Sequence, residues 1–521
     1  MTKPGYQISF SNADNVSAWG GLALWAQFLK ALRFRSQLAR WSLPHPQSNR
    51  GYDPCLLVEQ FVTNVLCGAN RFCHMNTLRT DKAIPQICDW SKMPEQKAFS
   101  RFFQRFTTSN QSAVLMTEVY SWCAAQARVS DCVTLDVDST AITRFGHQQG
   151  EEVGYNPRYH GRKSHHPLLA FLTEPNLIVN FWLRPGNSHT ANNIEGFLEQ
   201  TKSHLGARRI GLLRADSGFL SPKVIDWCEK QQADFIIAAK MTQVIQRTIG
   251  QVHDWCDVTD GIAISEASYK ASSWDKSYRV IFIRQDKDIR EQAIGKSLSL
   301  FEDDWDFEHY RYSALVTNMK YDAATIWRVY RLRANCENQI KALKEDFGLN
   351  NFVMKDYWAT EVALTLAMLT ANLASLFRRS CLHLRKNHRM QYILQHVLVV
   401  PSRYLSNKNE EPDRLILYVK GRKRKWLSEL FDPNKIIVQS NGKSGFNTLL
   451  SNNLISKTPL RLFSSQLSKM SRSSFQPPWV KINWPEGMFP AFSAEQYPAH
   501  LASLLGLCRS LGSISDNFST D

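Results

Sequence analysis

Residues 321–350 read YDAATIWRVYRLRANCENQIKALKEDFGLN. The stretch predicts one helix carrying an ordered polar stripe. Tyr330, Arg333, Glu337, Lys341 and Lys344 are spaced 3, 4, 4 and 3 apart, and at ~3.6 residues per turn all five share a face. Ile326, Val329, Leu332, Ile340, Leu343 and Phe347 form an adjoining apolar face suited to a core. Asp322 is placed to cap the start and Gly348 to mark the end. Taken alone, the stripe describes a solvated face on which Arg333 and Glu337 make an ordinary i,i+4 pair.

Upstream, the pattern is that of an α/β sheet. DCVTLDVD (131–138) alternates strictly, with Val133, Leu135 and Val137 on one face and Thr134, Asp136 and Asp138 on the other. Two apolar runs, Leu168–Leu172 and Leu177–Leu183, flank a Glu174-Pro175-Asn176 turn. A helix over 190–205, a strand at Ile210–Leu213 ending in Arg214-Ala215-Asp216, a helix opened by Pro222 and a strand at Phe235–Ala239 follow. Between 241 and about 310 the signal is weaker and β-leaning, and Tyr312–Val316 is the last strand before the opening helix.

Residues 17–128 read as all-helical, with Ser17 as a possible first cap. In EQKAFSRFFQRF (95–106) Phe99, Phe102, Phe103 and Phe106 face inward. Lys97, Arg101 and Arg105 form an i,i+4,i+8 basic stripe, a solvated face or a rail for DNA phosphates. Val362 to Phe377 is apolar but interrupted by polar residues and shorter than the ~20 needed to span a bilayer, so it reads as a core helix and no membrane is expected. The N-terminus has no apolar secretory segment. Eleven cysteines with no CxxC pair suit reduced thiols in a cytoplasmic protein.

The net charge of +16 is unevenly spread. Residues 1–128 hold 14 Lys+Arg against 7 Asp+Glu, residues 378–521 hold 21 against 9, and the middle holds 28 against 31. Basic flanks around a carboxylate-rich centre suit a protein that grips a polyanion and binds divalent cations. Beyond about 440 the chain is rich in Ser, Asn and Pro, which predicts partial disorder.

Strand-end acids of an α/β sheet lie where ligand sites form. Asp136 and Asp138 end one strand, Asp216 ends another, and Glu337 lies on the opening helix. Three carboxylates from distant segments are the hard ligands that two Mg²⁺ ions require for phosphodiester chemistry. His147, His160, His165 and His166 share one loop without HxxxH or HExxH spacing, which argues against zinc.

These residues also resemble a known family. Tyr330, Arg333, Glu337 and Lys344 match Y-x2-R-x3-E-x6-K, the Tyr-Arg-Glu-Lys signature of cut-and-paste DDE transposases encoded by bacterial insertion sequences. LDVDST (135–140) and LLRADSGF (212–219) resemble the contexts of the family's two aspartates, 216 − 138 = 78 residues apart. The following gap, 337 − 216 = 121 residues, accommodates the β-rich insertion of such enzymes. GHQQG (146–150), GYNPRYHGRKSHHPLLAFL (154–172) and ENQIKALKEDFGL (337–349) extend the likeness, which covers roughly residues 17–380.

The resemblance implies a ribonuclease-H-like catalytic core with a β-rich insertion, preceded by an all-helical N-terminal domain. On that division residues 1–128 bind the DNA end, 129–240 and 321–380 build the core, 241–320 form the insertion, and 381–521 are a basic C-terminal region. It implies Asp138, Asp216 and Glu337 as ligands for two Mg²⁺ ions, with Mn²⁺ as a substitute and Asp136 as alternate or supporting acid. Tyr330, Arg333 and Lys344 would hold phosphates and not partner Glu337. Lys341, on the stripe but outside the signature, and Arg162 and Gln148 are weaker DNA-contact candidates. The expected partners are double-stranded DNA, as terminal inverted repeats and target, and a second copy of the chain.

Overall fold

In a computed structural model of the chain, residues 13–48, 51–127, 130–156, 158–289, 305–307, 309–382, 389–406 and 413–431 are described. The Ser/Asn/Pro-rich tail lies outside them. Four longer helices come first: α1 (Leu22–Ala31), α2 (Pro54–Leu66), α3 (Gln96–Phe103) and α4 (Ser109–Gln126). Asp53 and Thr108 supply the side-chain caps that α2 and α4 need, Thr108 through a capping box with Gln111. Ser17 does not cap α1. Its hydroxyl instead donates to Asp81 Oδ2 at 2.6 Å, because Val16–Ser17 pairs as a short strand with Ser402–Leu405.

Strand β1 (Cys132–Ser139) follows, then β2 (Leu168–Leu172), β3 (Leu177–Trp182), helix α5 (Ile194–Leu205), β4 (Arg209–Ala215), helix α6 (Pro222–Lys230) and β5 (Asp234–Ala239). This is the strand–helix order that the alternating patterns predict. β6 (Cys256–Thr259), β7 (Ile262–Tyr269), β8 (Tyr278–Asp286), β9 (Trp305–Phe307) and β10 (Tyr310–Thr317) complete a ten-stranded sheet in the order β6-β7-β8-β10-β5-β4-β1-β2-β3, with β9 on β10. β4 and β5 run parallel to β1, whereas β2 and β10 join antiparallel. The strands of the β-leaning segment thus continue the core sheet through β10.

Helices α7 (Ala323–Arg331), α8 (Ala334–Glu345), α9 (Tyr357–Ser380) and α10 (Gly421–Leu430) close the described chain. α9 is long and apolar enough to cross a membrane by composition, but 94% of its apolar window is buried inside the fold. It packs against α4, α2 and β3, so the N-terminal helices and one face of the sheet share a single core around it.

Glu361 sits in that core, where its carboxylate accepts from Ser112 Oγ at 2.6 Å and Leu183 N at 3.1 Å. Burial raises its pKa to about 7, against which these two bonds act. The folded chain therefore holds a proton there that the unfolded chain releases above an ordinary carboxyl pKa of 4.5. Stability falls as pH rises from about 4.5 to 7, by roughly 3 kcal/mol for a shift of this size. Glu361→Gln removes that slope, which denaturant melts at several pH values measure.

Candidate functional site

The strict alternation of 131–138 puts Thr134, Asp136 and Asp138 on one face of β1 and the apolar residues on the other. The structure buries both faces: Thr134, Asp136 and Asp138 are 7%, 2% and 6% exposed. β1 is central in the sheet and covered on both sides, so its polar residues need partners inside the protein. Asp136 finds Arg214, whose Nε and Nη2 donate to its two oxygens at 2.7 and 2.8 Å. Thr173 Oγ1 donates to Asp136 Oδ2 at 3.0 Å. Both carboxylate oxygens of Asp136 are thereby engaged, and the arrangement separates it from Asp138.

Arg214 is fully buried and also donates through Nη1 to the Val329 carbonyl. That contact explains why residues 321–350 form two helices where the spacing predicts one. In a continuous helix Val329 O would accept from Arg333 N. Arg333 N bonds Tyr330 O at 2.8 Å instead, and Cys336 N bonds Arg333 O at 2.8 Å. These i to i−3 bonds tighten the chain between α7 and α8. The predicted ends hold: Asp322 accepts from Thr325 N at 2.8 Å, and Gly348 adopts φ +73° after α8.

Removing one member of the Arg214–Asp136 pair strands a buried charge. Asp136→Asn or Arg214→Met should cost about 3–5 kcal/mol of unfolding free energy. The paired replacement Asp136→Leu with Arg214→Met should cost much less. Urea melts of the three variants make the comparison.

The break divides the stripe. Tyr330 is fully buried, with its hydroxyl donating to Ala215 O at 3.2 Å, the residue before Asp216. Arg333, 3% exposed, points at the strand ends: Nη2 lies 3.0 Å from Asp138 Oδ2 and Nη1 lies 3.5 Å from Glu337 Oε1. Partnering Glu337 is contrary to the expected phosphate-only role. Burial opposes the Arg333 charge, but Asp138, Tyr330 and Asp216 hold its pKa well above the usual value. Its buried Nε has no hydrogen-bond acceptor among the described residues.

Lys344 Nζ donates to Thr140 Oγ1 at 2.6 Å and Ala141 O at 3.2 Å, tying α8 to the chain just beyond β1. Burial lowers its pKa and Asp138 opposes that. Lys341, half-exposed, sits 3.9 Å from Glu345 Oε1 in a surface pair, as a solvated face would have it. Asp216 Oδ1 accepts from Gly218 N at 3.0 Å and caps the turn that follows β4.

Asp138 and Glu337 therefore face a common guanidinium, although 199 residues of chain (337 − 138) separate them, and the charge of Asp216 acts on the same group. Their donor chemistry fits a hard divalent cation. Their spacing, as it stands, gathers them on Arg333: among the described residues no three His, Cys, Asp or Glu side chains are close enough to hold an ion. Two of the loop's histidines are spent otherwise. His165 accepts from Arg144 Nε at 2.8 Å, and His166 Nδ1 lies 3.0 Å from Ser188 O.

On the outer surface, Lys97 and Arg101 are exposed on α3, while Arg105 is half-buried beside Pro44 O. Arg162 is exposed, its guanidinium over the Phe145 ring. Arg214 and Thr173 escape a reading for catalytic motifs. The signal was there, since an arginine inside the apolar strand IGLLRA (210–215) must be paired when the strand is central.

A family model described as transposase DDE domain, group 1, matches residues 7–401. No curated protein matches the chain. Among solved structures, the piggyBac transposase synaptic complex with hairpin DNA, determined by cryo-EM, aligns at 11% identity and a TM-score of 0.38, covering 85% of this chain and 88% of that one.

Proposed function

The chain belongs to the group 1 DDE transposase domain family, and on that premise we propose that it is the transposase of a bacterial insertion sequence, cutting both ends of its element and joining them to target DNA. As a DDE transposase it is a metal-dependent enzyme of DNA cleavage and strand transfer, and DNA is its partner. In our reading Asp138, Asp216 and Glu337 are the three acids. The observation that carries this assignment is the meeting on Arg333 of Asp138, from a strand end, and Glu337, from a helix, with the charge of Asp216, which follows a second strand, acting on the same guanidinium. Asp136 is a positioning residue, since Arg214 occupies both its oxygens. The order β3-β2-β1-β4-β5, antiparallel for the first three and parallel onward, supports a ribonuclease-H-like core.

The three acids would hold two Mg²⁺ ions, or Mn²⁺ in their place, which when bound activate the attacking oxygen and stabilise the leaving one. The chain's own groups do the rest. Tyr330 fixes α7 against the end of β4, and Lys344 fixes α8 against the end of β1. Arg333 balances the carboxylates, and its planar guanidinium would turn to a DNA phosphate once metal takes the acids. Lys97, Arg101 and Arg162 present exposed charge to the backbone of the terminal inverted repeats, with the N-terminal helices as the end-binding region. The enzyme works as a homodimer on paired ends in the bacterial cytoplasm, on the nucleoid.

The test is a plasmid carrying the element's ends, incubated with the protein and Mg²⁺. Cleavage at the repeats followed by integration of the freed ends is expected. Cleavage with no joining of pre-cut ends would instead identify a ribonuclease-H-like nuclease, and repeat binding with no cleavage a repressor of the element.

A further inference from the structure

The segment between the end of β1 and the start of β2 is a small built platform. Ile142–Thr143, Glu152–Val153 and Lys163–His165 form a three-stranded antiparallel sheet. Its connections are pinned. Arg144 N bonds Lys163 O at 2.9 Å, Asn156 Nδ2 donates to Thr143 Oγ1 at 2.9 Å, and Tyr159 N donates to Asn156 Oδ1 at 3.1 Å. Beneath them the buried Arg144 donates to His165 Nδ1 at 2.8 Å and to Asn350 O at 3.0 Å, just past the helix that carries Glu337.

On this fixed base Phe145 is 71% exposed and Tyr159 42% exposed. Neither joins a core cluster. Their ring centroids lie 6.2 Å apart at 80°. Two arginines flank them: Arg162 lies 5.9 Å from the Phe145 centroid and Arg158 5.6 Å from that of Tyr159. Lys344, on the helix that carries Glu337, donates to Thr140 Oγ1 at 2.6 Å and Ala141 O at 3.2 Å, the two residues just before the platform's first strand. The platform therefore adjoins the strand end that carries Asp138.

We propose that Phe145 and Tyr159, with Arg158 and Arg162 beside them, are a stacking site for unpaired DNA bases next to the cleavage centre. The proposal rests on the reading of the chain as a DNA-cutting transposase and adds where displaced bases go. Phenylalanine has no donor or acceptor with which to hydrogen-bond a groove edge, and the face of its ring is what it offers to a base. Bases within a duplex have their faces covered by neighbours, and unpaired bases do not. The flanking guanidiniums supply the charge that follows the backbone of such a strand.

Fluorescence anisotropy tests this with full-length protein and two probes, a blunt duplex and the same duplex with a short single-stranded thymine extension. Wild-type protein should bind the extended probe about tenfold more tightly, in keeping with stacking of one or two bases. Phe145→Ala with Tyr159→Ala should abolish that preference while blunt-duplex affinity stays within about twofold, and Phe145→Trp should retain it. Both rings are surface groups, so truncation leaves the fold intact, which circular dichroism checks. Equal binding of both probes by wild type, or an undiminished preference in the double variant, overturns the stacking site but leaves the transposase reading standing. Failure of wild type to bind either probe overturns both.

Discussion

Glu337→Ala, Asp216→Ala and Asp138→Ala should each abolish cleavage while leaving duplex binding largely intact. Each proposed ligand removes a hard oxygen from a site whose cations stabilise charge on the reacting phosphate. That stabilisation is worth several kcal/mol, or about a thousandfold and more in rate. The carboxylates themselves repel DNA, so binding is unchanged or slightly tighter. The structure adds an internal control. Asp136→Asn removes an acid two residues from Asp138, but one whose oxygens belong to Arg214. Its effect should be read first in stability and only then in rate. A gel assay of strand nicking beside anisotropy of end binding separates these outcomes. Wild-type cleavage by Asp216→Ala or Glu337→Ala would refute the assignment of the acids.

Arg333→Ala should give the second large effect, and of a different kind. The side chain is buried between Asp138 and Glu337, so its loss leaves carboxylates facing one another without a counter-charge. About 3–5 kcal/mol of stability should go with it in metal-free buffer. A divalent cation that then occupies the same carboxylates stabilises only the folded state. Added Mn²⁺ should therefore raise the melting temperature of Arg333→Ala by more than that of wild type. Cleavage should remain lost in metal, because the guanidinium that Arg333 offers to phosphate is gone. Thermal melts with and without Mn²⁺, beside a cleavage assay, read both. An equal response to metal in the two proteins would show that Arg333 does not share its place with a cation.

Arg214 links these two results. It holds Asp136 on β1 and the Val329 carbonyl at the end of α7. With Val329 O taken by Arg214, Arg333 N bonds Tyr330 O instead, and the Arg333 guanidinium lies against Asp138. A single continuous helix would carry Arg333, Glu337 and Lys344 along one line. Across the tightened junction Arg333 is buried against Asp138, while Lys341 stands at the surface.

Much of this was legible in the sequence because it depends on local order. The alternation at 131–138, the strand ending at Asp216, the Asp322 cap and the apolar rows of the opening helix each follow from neighbours a few residues away. The core phenylalanines 99, 102, 103 and 106 were equally legible, since all four are buried. The order of three strands, helix, strand, helix, strand holds within the main sheet for the same reason, but the segment read as a loop between the first two strands carries three short strands of its own. Fourfold spacing likewise put Arg333 near Glu337, a geometry that any helical turn enforces.

Long-range pairing decided the rest. Whether the polar face of β1 meets water depends on what covers the sheet, and α9 with the N-terminal helices lies more than two hundred residues away along the chain or on its far side. Which of Asp136 and Asp138 stays available depends on an arginine on a neighbouring strand. The sequence by itself determined most of the main sheet's strands and helices, their order and the three acids as candidates, because periodicity and caps are set by bonds and contacts within a turn or two. Only the tertiary structure decided that the stripe breaks at Arg333, that Asp136 is tied to Arg214 and that Arg333 faces the acids. Those outcomes come from buried charges, which must find partners wherever the fold happens to bring them.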